Sequence, residues 1–90
     1  MAQQVIKRDG TKEPFDVEKI KKAIEAAASR TDLALERVSE LVGQVSGAVL
    51  QLAAGKEEIT TSELREKALS ALDKVEPTVA ESWRKYDQEQ

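Results

Sequence analysis

The chain has no cysteine and no histidine. Their absence excludes a disulfide framework, a zinc ribbon, a cysteine nucleophile and a histidine general base, which leaves any metal chemistry to carboxylates. Aromatics are scarce, being Phe15, Trp83 and Tyr86 alone, and there are only two prolines and four glycines. With 40% apolar and 34% charged residues in a length of 90, this is the profile of one mostly helical domain with a modest core. Most enzyme scaffolds need more chain than that. Long apolar runs are also missing: the longest is interrupted by Gln44, Ser46 and Gln51, and no greasy block follows a basic start at the N-terminus. Neither a signal peptide nor a membrane span is expected, and a cytoplasmic setting is the default.

What is present is charge, unevenly placed. Residues 1–30 hold seven Lys/Arg against five acids, whereas the remainder holds seven against twelve, within a total of −3. A general nucleic-acid binder is usually basic overall, so a nucleic-acid partner is unlikely on this count. Local positive charge suits a small anion better than a duplex.

Along the chain the pattern predicts a hairpin and four helices. Val5-Ile6 is β-branched, Asp9-Gly10 is a strong hairpin signal, and Thr11 to Phe15 returns, giving a ribbon over about 3–15 whose Pro14 demands an edge position. Asp16 offers an N-cap for a helix over about 17–29, with Val17, Ile20, Ala23, Ile24 and Ala27 at helical spacing. A second helix over about 33–54 carries Val38, Leu41, Val42, Val45, Ala48, Val49 and Leu52 on one face, and Gly55 stops it. Thr60-Thr61-Ser62-Glu63 is a capping box for a third helix over about 61–75. Pro77 opens a fourth over about 77–87, with Val79, Trp83 and Tyr86 as its apolar stripe. The fold class is mainly α: a four-helix bundle capped by a small N-terminal β-hairpin.

The densest functional signal is Lys7-Arg8-Asp9-Gly10, followed by Glu13, Phe15, Asp16 and Lys19. A turn projecting cations, followed closely by the free amides of a helix start, makes a good anion site. Lys19 is notable because a cation in the first turn opposes the helix dipole at a cost of about 0.3–1 kcal/mol, which a docked anion would reverse. Each feature also has a purely structural interpretation. Lys19 could be a solvated lysine beside Asp16 and Glu13, Lys7 or Arg8 could pair with Glu13 across the ribbon, and Trp83 and Tyr86 could be core anchors. No phosphate-binding glycine loop, Gly-x-Gly-x-x-Gly or paired catalytic carboxylate is evident, so no enzyme activity is expected.

VIKRDGTKEPFDVEKIKKAI closely resembles the opening of the ATP-cone domain, a nucleotide-sensing module of ribonucleotide reductases and of a bacterial repressor of reductase genes. Ile59-Thr60-Thr61-Ser62-Glu63-Leu64 resembles the second signature of that family. The resemblance spans about residues 4–86. It implies a hairpin lid over a four-helix bundle, with ATP or dATP bound beneath the lid, accompanied by Mg2+. Carried over by position, it implies that Lys7, Arg8 and Lys19 neutralise the triphosphate and that Val5 and Ile20 line the adenine slot. It likewise implies that Glu13 and Asp16 bond the base or sugar, and that Thr61 and Arg65 reach the nucleotide. Arg84 and Lys85 are further phosphate candidates in the less similar C-terminal helix.

The expected function is therefore an allosteric, non-catalytic adenine-nucleotide sensor acting on a partner protein or on another copy of itself. Two alternatives stand beside it: a helical protein-interaction module without nucleotide binding, motivated by the acidic second half and the long second helix, and a DNA-associated repressor fragment.

Overall fold

Local sequence rules account for most element boundaries in the computed structural model, which describes residues 3–89, with side chains through Tyr86. Asp16 leaves the hairpin in extended conformation and its carboxylate accepts the Glu18 amide at 3.0 Å, starting helix α1 (Val17–Ala28). Thr31 closes that helix by donating its hydroxyl to the Ala28 carbonyl. Helix α2 (Leu35–Ala54) begins two residues later than the sequence predicts, because Leu33 packs against the core and Ala34 holds the N-cap position without a side-chain cap. Gly55 stands at its C-cap as expected, yet with φ −89°, so a left-handed residue is not what stops the helix. Helix α3 (Thr61–Val75) has the full capping box: Thr60 Oγ1 accepts the Glu63 amide at 3.0 Å, while Glu63 accepts the Thr60 amide at 3.1 Å. Helix α4 (Pro77–Glu89) opens on its proline.

The N-terminal ribbon is part of something larger than a hairpin. Strands β1 (Gln4–Ile6) and β2 (Lys12–Pro14) pair antiparallel, and a third strand, β3 (Glu58–Thr60), joins β1 in parallel. The order is β2-β1-β3, so β1 is central and Val5 lies between Glu13 on one side and Ile59 on the other. Pro14 falls on the edge strand β2, as its missing amide requires. The expected hairpin is thus present and is extended to a three-stranded sheet. Its extra strand comes from the segment between α2 and α3, and its hydrogen bonds give the marginal hairpin the support it lacks alone.

The turn also differs in type from a two-residue Asp-Gly loop. Gly10 donates its amide to the Lys7 carbonyl at 2.9 Å and Lys7 donates to Thr11 at 2.8 Å, which makes Arg8 and Asp9 the central turn residues. Asp9 has negative φ and Gly10 alone takes the left-handed conformation, at φ 87°. That is a type I turn followed by a glycine bulge, and it places Lys7 and Arg8 in the turn rather than on the strand.

The core joins both layers. Ile24 of α1, Leu41, Val45 and Val49 of α2, Leu69 and Leu72 of α3 and Val79 of α4 are sealed from solvent, and Val5 and Ile59 bury the sheet against them. Side chains of this size each contribute about 1.5–3 kcal/mol on burial. The α4 stripe is shorter than predicted: Trp83 is buried, but Tyr86 is 45% exposed and receives Arg30 over its ring at 5.6 Å. On α3, Leu69 is buried in the core, whereas Val75 at the helix end is exposed.

Candidate functional site

The sheet, the start of α1 and the start of α3 meet around a small cavity of about 230 Å³. Its apolar surface comes from Val5, Pro14, Ile20, Leu64 and Trp83, and its polar rim from Glu13, Asp16, Lys19, Thr61 and Arg65. Five different elements therefore supply this cavity. Val5 reaches it as the central-strand residue and Glu13 as its neighbour on β2. Asp16 and Lys19 are the cap and third residue of α1, and Ile20 follows one position on. Thr61 is the first residue of α3, with Leu64 and Arg65 one turn later on the same face.

Seven of the nine residues singled out from sequence thus line one cavity: Val5, Glu13, Asp16, Lys19, Ile20, Thr61 and Arg65. Lys7 does not line it but is tied to it. The ammonium groups of Lys7 and Lys19 both lie 3.3 Å from the same oxygen, Oε2 of Glu13. Arg8, at the turn, is exposed and has no partner among the described residues. Arg84 and Lys85 are not brought to this cavity: Arg84 makes two hydrogen bonds to Asp73 of α3, at 3.0 and 2.9 Å, and Lys85 pairs with Glu81.

The electrostatics follow from that arrangement. Lys19, then Lys7, hold the Glu13 carboxyl below its ordinary value, against a partial loss of hydration that pushes the other way. Two cations on one carboxylate leave a net charge of +1, so a phosphate arriving beside Glu13 finds ammonium donors already gathered. At the turn, the Thr11 hydroxyl and amide lower the Asp9 carboxyl by hydrogen bonding, which fixes the loop that carries Lys7 and Arg8. Across the cavity, Glu63 is lowered by Lys56 first and by the Thr60 amide second, so the α3 cap is held in its charged form.

Larger depressions exist at the other end of α1, one of about 770 Å³ against α2 and one of about 580 Å³ against α4. Chemistry separates them from the cavity under the sheet. Neither adjoins a helix N-terminus that carries clustered lysines, and the 580 Å³ depression mixes Asp32, Glu76 and Glu81 with Arg30 and Lys85. The small cavity instead combines an apolar slab, two helix starts and gathered cations, which is what a ligand with a flat base and an anionic tail requires.

Sequence reasoning did not assign Pro14, Leu64 and Trp83 to the site. Leu64 carried a readable signal, standing three residues from Thr61 on the same helix face. Trp83 did not, because its place in the cavity depends on how α4 docks.

The ATP cone domain family matches residues 3–90, and the chain belongs to that family. Curated relatives include proteins named transcriptional repressor NrdR from Brucella ovis, Brucella canis and Brucella suis. Each is 39% identical over 69 residues, a match covering 76% of this chain and 42% of the relative. The chain thus matches less than half the length of these curated relatives. Nucleotide sensing, allosteric regulation and a relation to ribonucleotide reductase control are the properties this family brings. Because the relatives are named as transcriptional repressors, the expectation that a nucleic-acid partner is unlikely is not supported. Among the described residues no helix is long and apolar enough to cross a membrane.

Proposed function

We propose that this chain is a non-catalytic, cytoplasmic regulatory domain that binds ATP or dATP under its three-stranded sheet and changes its affinity for a partner protein or for another copy of itself. The observation that carries this reading is the apolar cavity with the Lys7–Glu13–Lys19 cluster on its rim. At about 230 Å³ the cavity suits the base rather than a whole nucleotide. The base enters between Val5 and Ile20, Glu13 or Asp16 accepts from base or sugar, and the triphosphate emerges toward Lys19, Lys7 and Arg8. Thr61 and the amides at the start of α3 face the ligand from the other side, and Arg65 reaches it from one turn further on. Any Mg2+ travels with the triphosphate, since among the described residues no group of three or more acidic side chains could hold it.

The regulatory step follows from differential binding. A ligand touching β1, β2, α1 and α3 together favours the arrangement in which all four are in place, and any partner that recognises that arrangement gains affinity by the same factor. The relatives' printed name favours a second reading, in which the domain contacts DNA directly.

Calorimetric titration of ATP into the wild-type chain and into Lys19→Ala separates these readings. Losing one charged hydrogen bond costs about 1.5–3 kcal/mol, so Lys19→Ala should weaken ATP roughly ten- to a hundredfold. Undiminished affinity in Lys19→Ala would remove the site assignment. Titrating duplex DNA in place of ATP tests the second reading, which requires salt-dependent binding by this chain alone.

A further inference from the structure

Trp83 belongs to α4, a helix from which the sequence offered only Arg84 and Lys85 as phosphate candidates and nothing for the base slot, yet it lines the cavity together with Val5, Ile20 and Leu64. It is also the only tryptophan in the chain. The residues on either side of it fasten α4 to its neighbours. Ser82 donates its hydroxyl to the Ala27 carbonyl of α1 at 2.8 Å, and Arg84 grips Asp73 of α3 with two hydrogen bonds. Three consecutive side chains thus contact α1, the cavity and α3.

The indole is 9% exposed, and its N–H has no hydrogen-bond partner among the described residues. Every fully buried side-chain nitrogen or oxygen among those residues does have one, so the Trp83 N–H lies on the accessible edge of the ring. A core anchor would need only the ring's bulk. Here a donor is left open on a side chain that walls a cavity.

We propose that Trp83 is a ligand-contacting residue of the base slot, an aromatic wall that favours a ligand carrying a flat base over one without it and brings α4 into contact with the ligand. The proposal rests on reading the cavity as the base slot and adds α4 to the elements the ligand touches. A ring that is almost fully buried, on a helix whose flanking Ser82 and Arg84 are bonded to α1 and α3, loses little freedom when a base meets it, so the contact's gain is kept for affinity. Stacking against an aromatic side chain tolerates any flat base, and selectivity among bases then falls to the polar rim.

The test follows Trp83 emission during titration with ATP, with inorganic tripolyphosphate as the probe that lacks a base, alongside calorimetry on the same samples. ATP should produce a saturable emission change whose midpoint matches the calorimetric one, and tripolyphosphate should produce none. Trp83→Leu should bind ATP roughly tenfold more weakly, while Trp83→Phe, which keeps a flat ring, should recover most of the loss. If Trp83→Leu does not fold, the Phe variant and the wild-type emission decide. Calorimetric ATP binding with unchanged emission would overturn the role of Trp83 and leave the nucleotide reading standing. An absence of heat with ATP would overturn both.

Discussion

Glu13 is the residue on which the cavity and the cation cluster turn. Its side chain lines the slot, and its Oε2 holds the ammonium groups of Lys7 and Lys19 at 3.3 Å each. Because its carboxyl is lowered from the ordinary value of 4.5, the folded state prefers it charged. The cluster's contribution to stability is therefore present above pH 4.5 and is lost as the pH falls through the lowered folded value. With the Lys19 side chain 63% exposed, that contribution is small and sensitive to salt. Thermal melting of wild type and Glu13→Gln from about pH 7 to about pH 3 should give wild type a margin that is steady through pH 5 and closes toward the acid end. A margin that widens with acid would contradict the assignment. The sequence already offered Glu13 as a cross-ribbon partner for Lys7 or Arg8 and set Lys19 near it. That Lys7 rather than Arg8 pairs, and that Lys19 shares the same oxygen, was not readable, since it depends on the turn and on how α1 leaves the sheet.

Among the elements, β3 and the start of α3 do the joining. Thr60 is at once the last residue of β3, opposite Ile6, and the N-cap of α3. Removing its hydroxyl leaves the Glu63 amide without its cap and loosens the helix start that brings Thr61 to the cavity. Thr60→Ala should cost about 1 kcal/mol, read as a lower urea midpoint with an unchanged slope. A change within a few tenths of a kcal/mol would mean that sheet pairing, not the cap, holds the junction. The cap was legible because T-x-x-E is a local signal. Strand β3 was not, because three residues carry too little alternation to register, and its partner β1 lies more than fifty positions away, with Val5 opposite Ile59. The hairpin shows the same division: Asp9-Gly10 marked the turn, but which residue takes the left-handed conformation was decided by strand register. At α4, the alternation that identified Trp83 as apolar said nothing of the cavity it walls, and the basic pair after it proved to be occupied by Asp73 and Glu81.

At the scale of the whole molecule, a chain of net charge −3 gathers several of its cations around the cavity proposed to take an anionic ligand. The first 30 residues carry the excess of Lys and Arg, and the fold places Lys7, Arg8 and Lys19 of that segment on or beside one cavity. The acidic remainder supplies α2, α3 and α4, the other three helices of the bundle. Family membership, an apolar slot and gathered cations together make selective recognition of adenine nucleotides the central claim. Under the proposed function, base selectivity would fall to the polar rim, which Glu13, Asp16 and Thr61 help to form. The most direct measurement is isothermal titration of ATP, dATP and GTP into the chain with Mg2+ present. Saturable heat is expected with ATP or dATP, and GTP should be weaker by at least about tenfold, the consequence of roughly 1.4 kcal/mol of mismatched hydrogen bonding at the rim. Equal binding of all three nucleotides, or heat from none, would contradict the central claim.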